Sequence, residues 1–156
     1  NKDLGGGSLL DIGIYPIFMA MSALGRPEKI QASAKFSETG IDTECDMIFE
    51  YKNGVEAELG SSIVKQTPTA AIIQFEKATI TLNTRFHEPT SVKIQTPESE
   101  ETKEFKVHSN GYNFEAEHVQ KMLLEGKTES TEMTFAKSLQ LIELLDKVRD
   151  QIGLEY

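Results

Sequence analysis

The chain has 156 residues, 38% of them apolar and 26% charged, with a formal net charge of −9. Such a length suits one soluble globular domain with a continuous core and is short for a complete two-domain enzyme. The acidic balance, with no basic cluster, excludes a nucleic-acid backbone as partner. Cys45 is the sole cysteine, which excludes an internal disulfide framework and a multi-cysteine zinc site and fits a reducing, cytoplasmic compartment.

The chain begins with Asn rather than Met and reaches Gly5-Gly6-Gly7 at once, as a piece cut from a longer polypeptide would. A tag or a trimmed start gives the same appearance. Leu9 to Leu24 then reads as one helix, closed by Gly25 with Pro27 beyond. Pro16 cannot donate to the carbonyl four residues back, so the regular helix is expected to start near Gly13, with Pro16 in its first turn. The apolar run Ile12 to Leu24 holds Gly13, Pro16 and Ser22 and falls short of the roughly 20 residues that cross a bilayer. No positive leader precedes it, since Lys2 is offset by Asp3. It reads as a buried helix, and no membrane partner is expected.

Period two takes over from Glu28 to Val107. Strands are predicted at Ile30–Phe36, Thr43–Tyr51, Val55–Ile63, Ala70–Phe75, Thr79–Asn83, Ser91–Thr96 and Glu104–Val107, with Pro97–Lys103 as a mobile hairpin tip. Cys45, Met47, Phe49 and Tyr51 share one strand face, and Asn53-Gly54 signals a hairpin. Helical spacing returns near Tyr112, with Phe114, His118, Val119, Met122 and Leu123 on one stripe and Gly126 at the end. A last helix, from about Phe135 to Ile152, turns Leu139, Ile142, Leu145, Val148 and Ile152 inward. The order describes an α+β fold: a large, mainly antiparallel open sheet with helices packed on one face. Its other face mixes Ser, Thr and Glu with Ile48 and Val64, a composition suited to packing against a second copy.

The segment most suited to chemistry is Gly5-Gly6-Gly7-Ser8-Leu9-Leu10-Asp11-Ile12-Gly13-Ile14-Tyr15. Groups four apart lie on one face of a helix, so Asp11 and Tyr15 can point into one cleft. An ionised Asp can hold a Tyr hydroxyl, and that hydroxyl can exchange a proton with a carbonyl or an alcohol. Asp11 equally fits a plain helix cap. Both readings stand at this level.

Those eleven residues resemble the opening of the C-terminal domain of the Gfo/Idh/MocA oxidoreductases. Similar, in order, are Asp42-Thr43-Glu44-Cys45-Asp46-Met47, Asn53-Gly54, Gly111-Tyr112-Asn113-Phe114-Glu115-Ala116-Glu117-His118-Val119, Glu129-Ser130, Ser138-Leu139 and Glu143-Leu144-Leu145-Asp146. They match the branch with dimeric dihydrodiol dehydrogenases and glucose–fructose oxidoreductase over nearly the whole chain. The resemblance implies a domain like the C-terminal domain of glyceraldehyde-3-phosphate dehydrogenase, with residues 1–156 forming a substrate-binding and dimerisation domain. It implies NAD or NADP bound by an N-terminal Rossmann domain absent from this chain, and a homodimer formed through the open sheet face. It also implies hydride transfer to or from a sugar, polyol, diol or related carbonyl compound. Asp11 and Tyr15 match the family's catalytic positions, Tyr15 as proton donor or acceptor. The family's lysine, from a Glu-Lys-Pro segment, is not carried onto Lys77, because Glu76-Lys77 is followed by Ala78. No G-x-G-x-x-G fingerprint occurs, so this piece alone is expected to be inactive. A non-catalytic dimerisation scaffold of the same fold is the competing class.

Two histidines complete the candidates. His118, in the helical stripe, and His87, in Arg85-Phe86-His87-Glu88-Pro89, are weighed as substrate-binding residues against helix packing and a surface turn. His108 reads as exposed. No set of converging ligands suggests a metal, and Cys45 reads as a small core residue.

Overall fold

The computed structural model describes residues 6–88, 90–105 and 111–155, and the chain divides into two compact units: Asn1–Thr67 with Phe135–Tyr156, and Pro68–Thr134. The first unit opens with a π turn over Leu9–Gly13, followed by helix α1, Ile14–Leu24. Pro16 explains the junction. It has no N–H for the Ile12 carbonyl, so the earliest donor past it is Ile17, whose α partner is Gly13, and α1 begins at Ile14. At the far end Gly25, with φ +78°, donates its N–H to the Met21 carbonyl at 2.9 Å.

Strands β1 (Lys29–Phe36), β2 (Asp42–Glu50) and β3 (Glu56–Ser62) form an antiparallel sheet in that order. Register sets Ile30 opposite Phe49, Ala32 opposite Met47 and Ala34 opposite Cys45. This row faces inward, and Cys45, Met47 and Phe49 are buried, as the alternation requires. The Asn53-Gly54 hairpin forms through a 3₁₀ turn, Lys52–Gly54, closed by a Tyr51 N–H to Val55 carbonyl bond of 2.8 Å. Helix α3, Phe135–Ile152, completes the unit: Gln151 donates to the Ile30 carbonyl at 2.6 Å, and Arg26 pairs with Glu143.

The buried stripe of α3 differs from the expected one. Leu141, Leu144, Leu145 and Val148 are inside, whereas Leu139 and Ile142 are exposed together with Phe135. Two apolar stripes run along this helix, each at helical spacing, and spacing alone does not say which one meets the sheet.

The second unit holds the antiparallel sheet β4 (Ala71–Gln74), β5 (Thr79–Leu82), β6 (Ser91–Gln95) and β7 (Glu100–Glu104), with helix α2 over Tyr112–Leu124. Gly126, with φ +70°, ends α2 by bonding to the Leu123 carbonyl. The α+β class is as read, but the strands pair as two sheets, and the last of them moves. The expected tip Pro97–Lys103 contains a tight turn, with the Ser99 carbonyl accepting from the Thr96 N–H at 2.8 Å, and then β7 itself. The rest of the expected strand, Lys106–Val107, lies outside the described residues. Among the described residues, no helix is long and apolar enough to cross a membrane.

Candidate functional site

Three contacts from the sheet fix the π turn. Asp42, the first residue of β2, is fully buried, and its Oδ2 accepts the Leu9 N–H at 2.6 Å. Ser8, also fully buried, donates through Oγ to Ser61 Oγ of β3 at 2.8 Å. Gly13 completes the fit: a Cβ there would lie 3.2 Å from both Ser61 Oγ and Leu9 Cδ1. Its smallness admits the close approach of turn to strand.

This arrangement bears on the capping reading of Asp11. The carboxylate that takes an orphan N–H at the start of the helix is Asp42, not Asp11. Asp11 is exposed, without a hydrogen-bond partner among the described residues, and Tyr15 is 43% exposed. The turn therefore presents a carboxylate and a phenol to the surface while its own amide is satisfied from behind. Those are donors and acceptors for moving a proton. Gly6 and Gly7 precede the turn, and Gly5 lies outside the described residues.

Both candidate histidines belong to the second unit. His118, half-buried on α2, bonds through Nε2 to Ser130 Oγ at 2.8 Å. The same hydroxyl accepts the N–H groups of Glu132 at 3.1 Å and Met133 at 2.9 Å, so His118 pins the loop after α2. His87 is exposed, edge-on to Phe86 with ring centroids 5.4 Å apart. Its loop is backed by two non-glycine residues at positive φ, Thr69 at 51° and Arg85 at 65°, joined by an Arg85 N–H to Thr69 carbonyl bond of 2.8 Å. Such conformations are uncommon and persist where surrounding contacts hold them. Arg85 also grips Glu88, holding that carboxyl below its ordinary range. An open pocket of about 330 Å³, walled by Leu82, Val92, Phe86, Phe105 and Phe114, adjoins this loop. His108 lies outside the described residues.

Cys45 is no nucleophile. Burial, with the Asp42 and Asp46 charges, pushes its thiol up to about 12. Among the described residues no group of three His, Cys, Asp or Glu could hold a metal ion. Sequence reasoning missed Asp42, Ser61 and the packing role of Gly13. Their contacts span 33 to 53 residues of chain, and no local pattern carries them.

The family model for the GFO/IDH/MocA C-terminal domain matches residues 1–81. Trans-1,2-dihydrobenzene-1,2-diol dehydrogenase of Xenopus tropicalis is 35% identical, covering 99% of this chain and 49% of that protein. The scyllo-inositol 2-dehydrogenase (NADP(+)) IolU of Bacillus subtilis is 33% identical, covering 99% of this chain and 47% of its own length. The fold is similar to that of KijD10, a 3-ketoreductase from Actinomadura kijaniata solved with NADP, at a TM-score of 0.82, 22% identity and coverage of 96% of this chain and 48% of that one. The chain thus spans about half the length of the curated relatives it matches. It belongs to the Gfo/Idh/MocA family, in the C-terminal domain.

Proposed function

We propose that this chain is the substrate-binding and dimerisation half of an NAD(P)-dependent oxidoreductase, its dinucleotide held by an N-terminal Rossmann domain in the longer protein. The substrate class is a sugar, polyol, diol or related carbonyl compound. Family membership supports this, as do relatives named as diol and inositol dehydrogenases. One structural observation supports the site: Asp42 takes the Leu9 amide, which leaves the Asp11 carboxylate exposed, four residues from the partly exposed Tyr15.

The nicotinamide, when bound, supplies or accepts the hydride at the substrate carbon. Tyr15 handles the proton. In reduction its hydroxyl gives a proton to the carbonyl oxygen as charge develops there, and in oxidation its oxygen takes the alcohol proton. Asp11 orients that hydroxyl or the substrate hydroxyl beside it by accepting a hydrogen bond. His87 and His118 are assigned to substrate hydroxyls, the lesser part falling to His118, whose Nε2 is already engaged by Ser130. This piece alone carries the proton side of the reaction and is expected to be inactive. The exposed strand residues Ile48 and Ile72, with Val64 just past β3, support association of two copies through sheet faces. We place the protein in the cytoplasm, a reducing compartment that suits its free buried thiol.

The test is turnover by the full-length protein with NAD(H) and NADP(H) against a panel of sugars, polyols and diols. Nicotinamide-dependent turnover of at least one of them is expected. A purified, dinucleotide-binding protein that turned over none would leave the scaffold reading in its place.

A further inference from the structure

We infer that Asp42 is a positioning residue that holds the π turn carrying Asp11 at the head of the helix that bears Tyr15, an inference that rests on the catalytic reading of Tyr15 above. A fully buried carboxylate is costly unless donors surround it. Asp42 has one such donor, the Leu9 N–H at 2.6 Å, and its Oδ1 is buried without a hydrogen-bond partner among the described residues. None of the ion pairs among those residues includes it. What offsets its charge is the amide end of the segment that leads into α1, where the aligned peptide dipoles favour an anion.

Location gives this contact its consequence. Leu9 is the first residue of the π turn, Asp11 lies within that turn, and Tyr15 lies just past it in α1. A π turn carries one more residue per hydrogen-bonded ring than an α turn. If it relaxed to α spacing, everything before it would rotate by about 100°, the angle one residue subtends in an α-helix. Asp11, inside the turn, would stay on the same face as Tyr15 but shift in height and angle relative to it. The Asp42 bond at the head of the turn and the tight fit of Gly13 against Ser61 at its foot hold the wider spacing in place. The Ser8–Ser61 bond is a second tie on the same turn.

The experiment uses the full-length protein carrying Asp42→Ala, Asp42→Asn or Ser61→Ala. Asn keeps an oxygen for the Leu9 N–H and Ala does not. Asp42→Ala is expected to lower kcat about 10²-fold, the scale of a misplacement of about 1 Å, with KM and dinucleotide affinity changed less than about threefold. Asp42→Asn is expected to restore most of that loss, which a general effect of charge removal would not. Hydrogen exchange should quicken at residues 8–15 in the Ala variant and stay unchanged in α3. Wild-type kcat in Asp42→Ala, or equal loss in Asn and Ala with exchange at 8–15 unaltered, would overturn the inference. If Asp42→Ala does not fold, Ser61→Ala decides: a kcat about tenfold lower at unchanged KM supports it, and unchanged kcat overturns it. Should the wild type turn over no substrate, the functional reading fails, and exchange at residues 8–15 alone decides whether Asp42 holds the turn.

Discussion

The two units of the chain hold their candidate residues by different means. In the first, Leu9, Ile17, Met47, Phe49, Leu144 and Val148 are fully buried, and the turn bearing Asp11 and Tyr15 is tied from behind by Asp42 and Ser61. In the second, Met122 is the buried apolar residue among those described, the strands are half-exposed or exposed, and Leu123 is 69% exposed. There His87 rides on a loop kept in shape by its own backbone and the Arg85–Glu88 pair. Proton transfer needs its donor held to fractions of an ångström, and packed elements supply that. Recognition of a hydroxyl-bearing substrate tolerates a more adaptable surface, as loops commonly provide. The residues proposed to handle the proton lie in the more firmly packed first unit.

The largest test of that division is Tyr15→Phe in the full-length enzyme. Loss of a general acid or base lowers kcat about 10²–10⁴-fold, and the melting temperature should hold because the Tyr15 ring is partly exposed and Phe keeps it. The equivalent loss at His87→Ala should fall mainly on KM. If Tyr15→Phe kept full turnover on its best substrate, Tyr15 would revert to a packing residue and the contrast between the units would lose its functional meaning.

Next in size is stability. Phe49→Ala removes a fully buried ring from the first unit and should cost about 3–5 kcal/mol in denaturant unfolding. Met122→Ala, in a unit with thin cover, should cost about 2 kcal/mol, the low end for such a truncation. Equal losses would mean that the second unit is as firmly packed as the first.

A smaller effect is expected at Gly13→Ala. Its φ of −62° suits any residue, so the cost is steric rather than conformational. The new methyl would press on Ser61 Oγ and Leu9 Cδ1 at 3.2 Å, an overpacking that costs about 1–3 kcal/mol. Because the pressure falls on the turn, kcat should drop further than stability alone explains. Combined with Ser61→Ala, which removes the Oγ that the methyl meets, the total cost should be smaller than the sum of the two single changes, and strict additivity would show that the strain lies elsewhere.

The sequence was most informative where burial alternates. Cys45, Met47 and Phe49 marked β2 because every second residue is inside, and Pro16 placed the start of α1 because a missing N–H acts locally. β7 was illegible for the opposite reason. Its five residues, Glu100–Glu104, are all exposed, so no apolar rhythm marks a strand that cross-strand pairs such as Lys93–Glu100, 3.0 Å apart, help to hold. The spacing of Asp11 and Tyr15 was legible, four residues apart at a helix start. The residue that frees Asp11 from capping was not, since Asp42 joins the site only once β2 is folded against the turn.

The finest prediction concerns the outer face of the first unit's sheet, where Glu44 bonds Lys65 at 2.5 Å and Lys35 at 3.0 Å. Lys65 first, and Lys35 with it, hold the Glu44 carboxyl below its ordinary value of 4.5. A carboxyl with a depressed pKa in the folded state contributes stability that is full above the unfolded value and is lost as pH falls through the folded one. Melting temperature should therefore fall as pH drops below about 4.5, and Glu44→Gln should flatten part of that slope. Above it the substitution should show its full cost, a small one because ion pairs at the surface are weak, and added salt should shrink that cost, while at low pH the two proteins should converge. The second unit offers the control, since Lys93 of β6 holds down Glu100 of the exposed strand β7 in the same way. A stability loss in Glu44→Gln that was as large at low pH and high salt as at neutral pH would mean that Glu44 supports the sheet by something other than its charge.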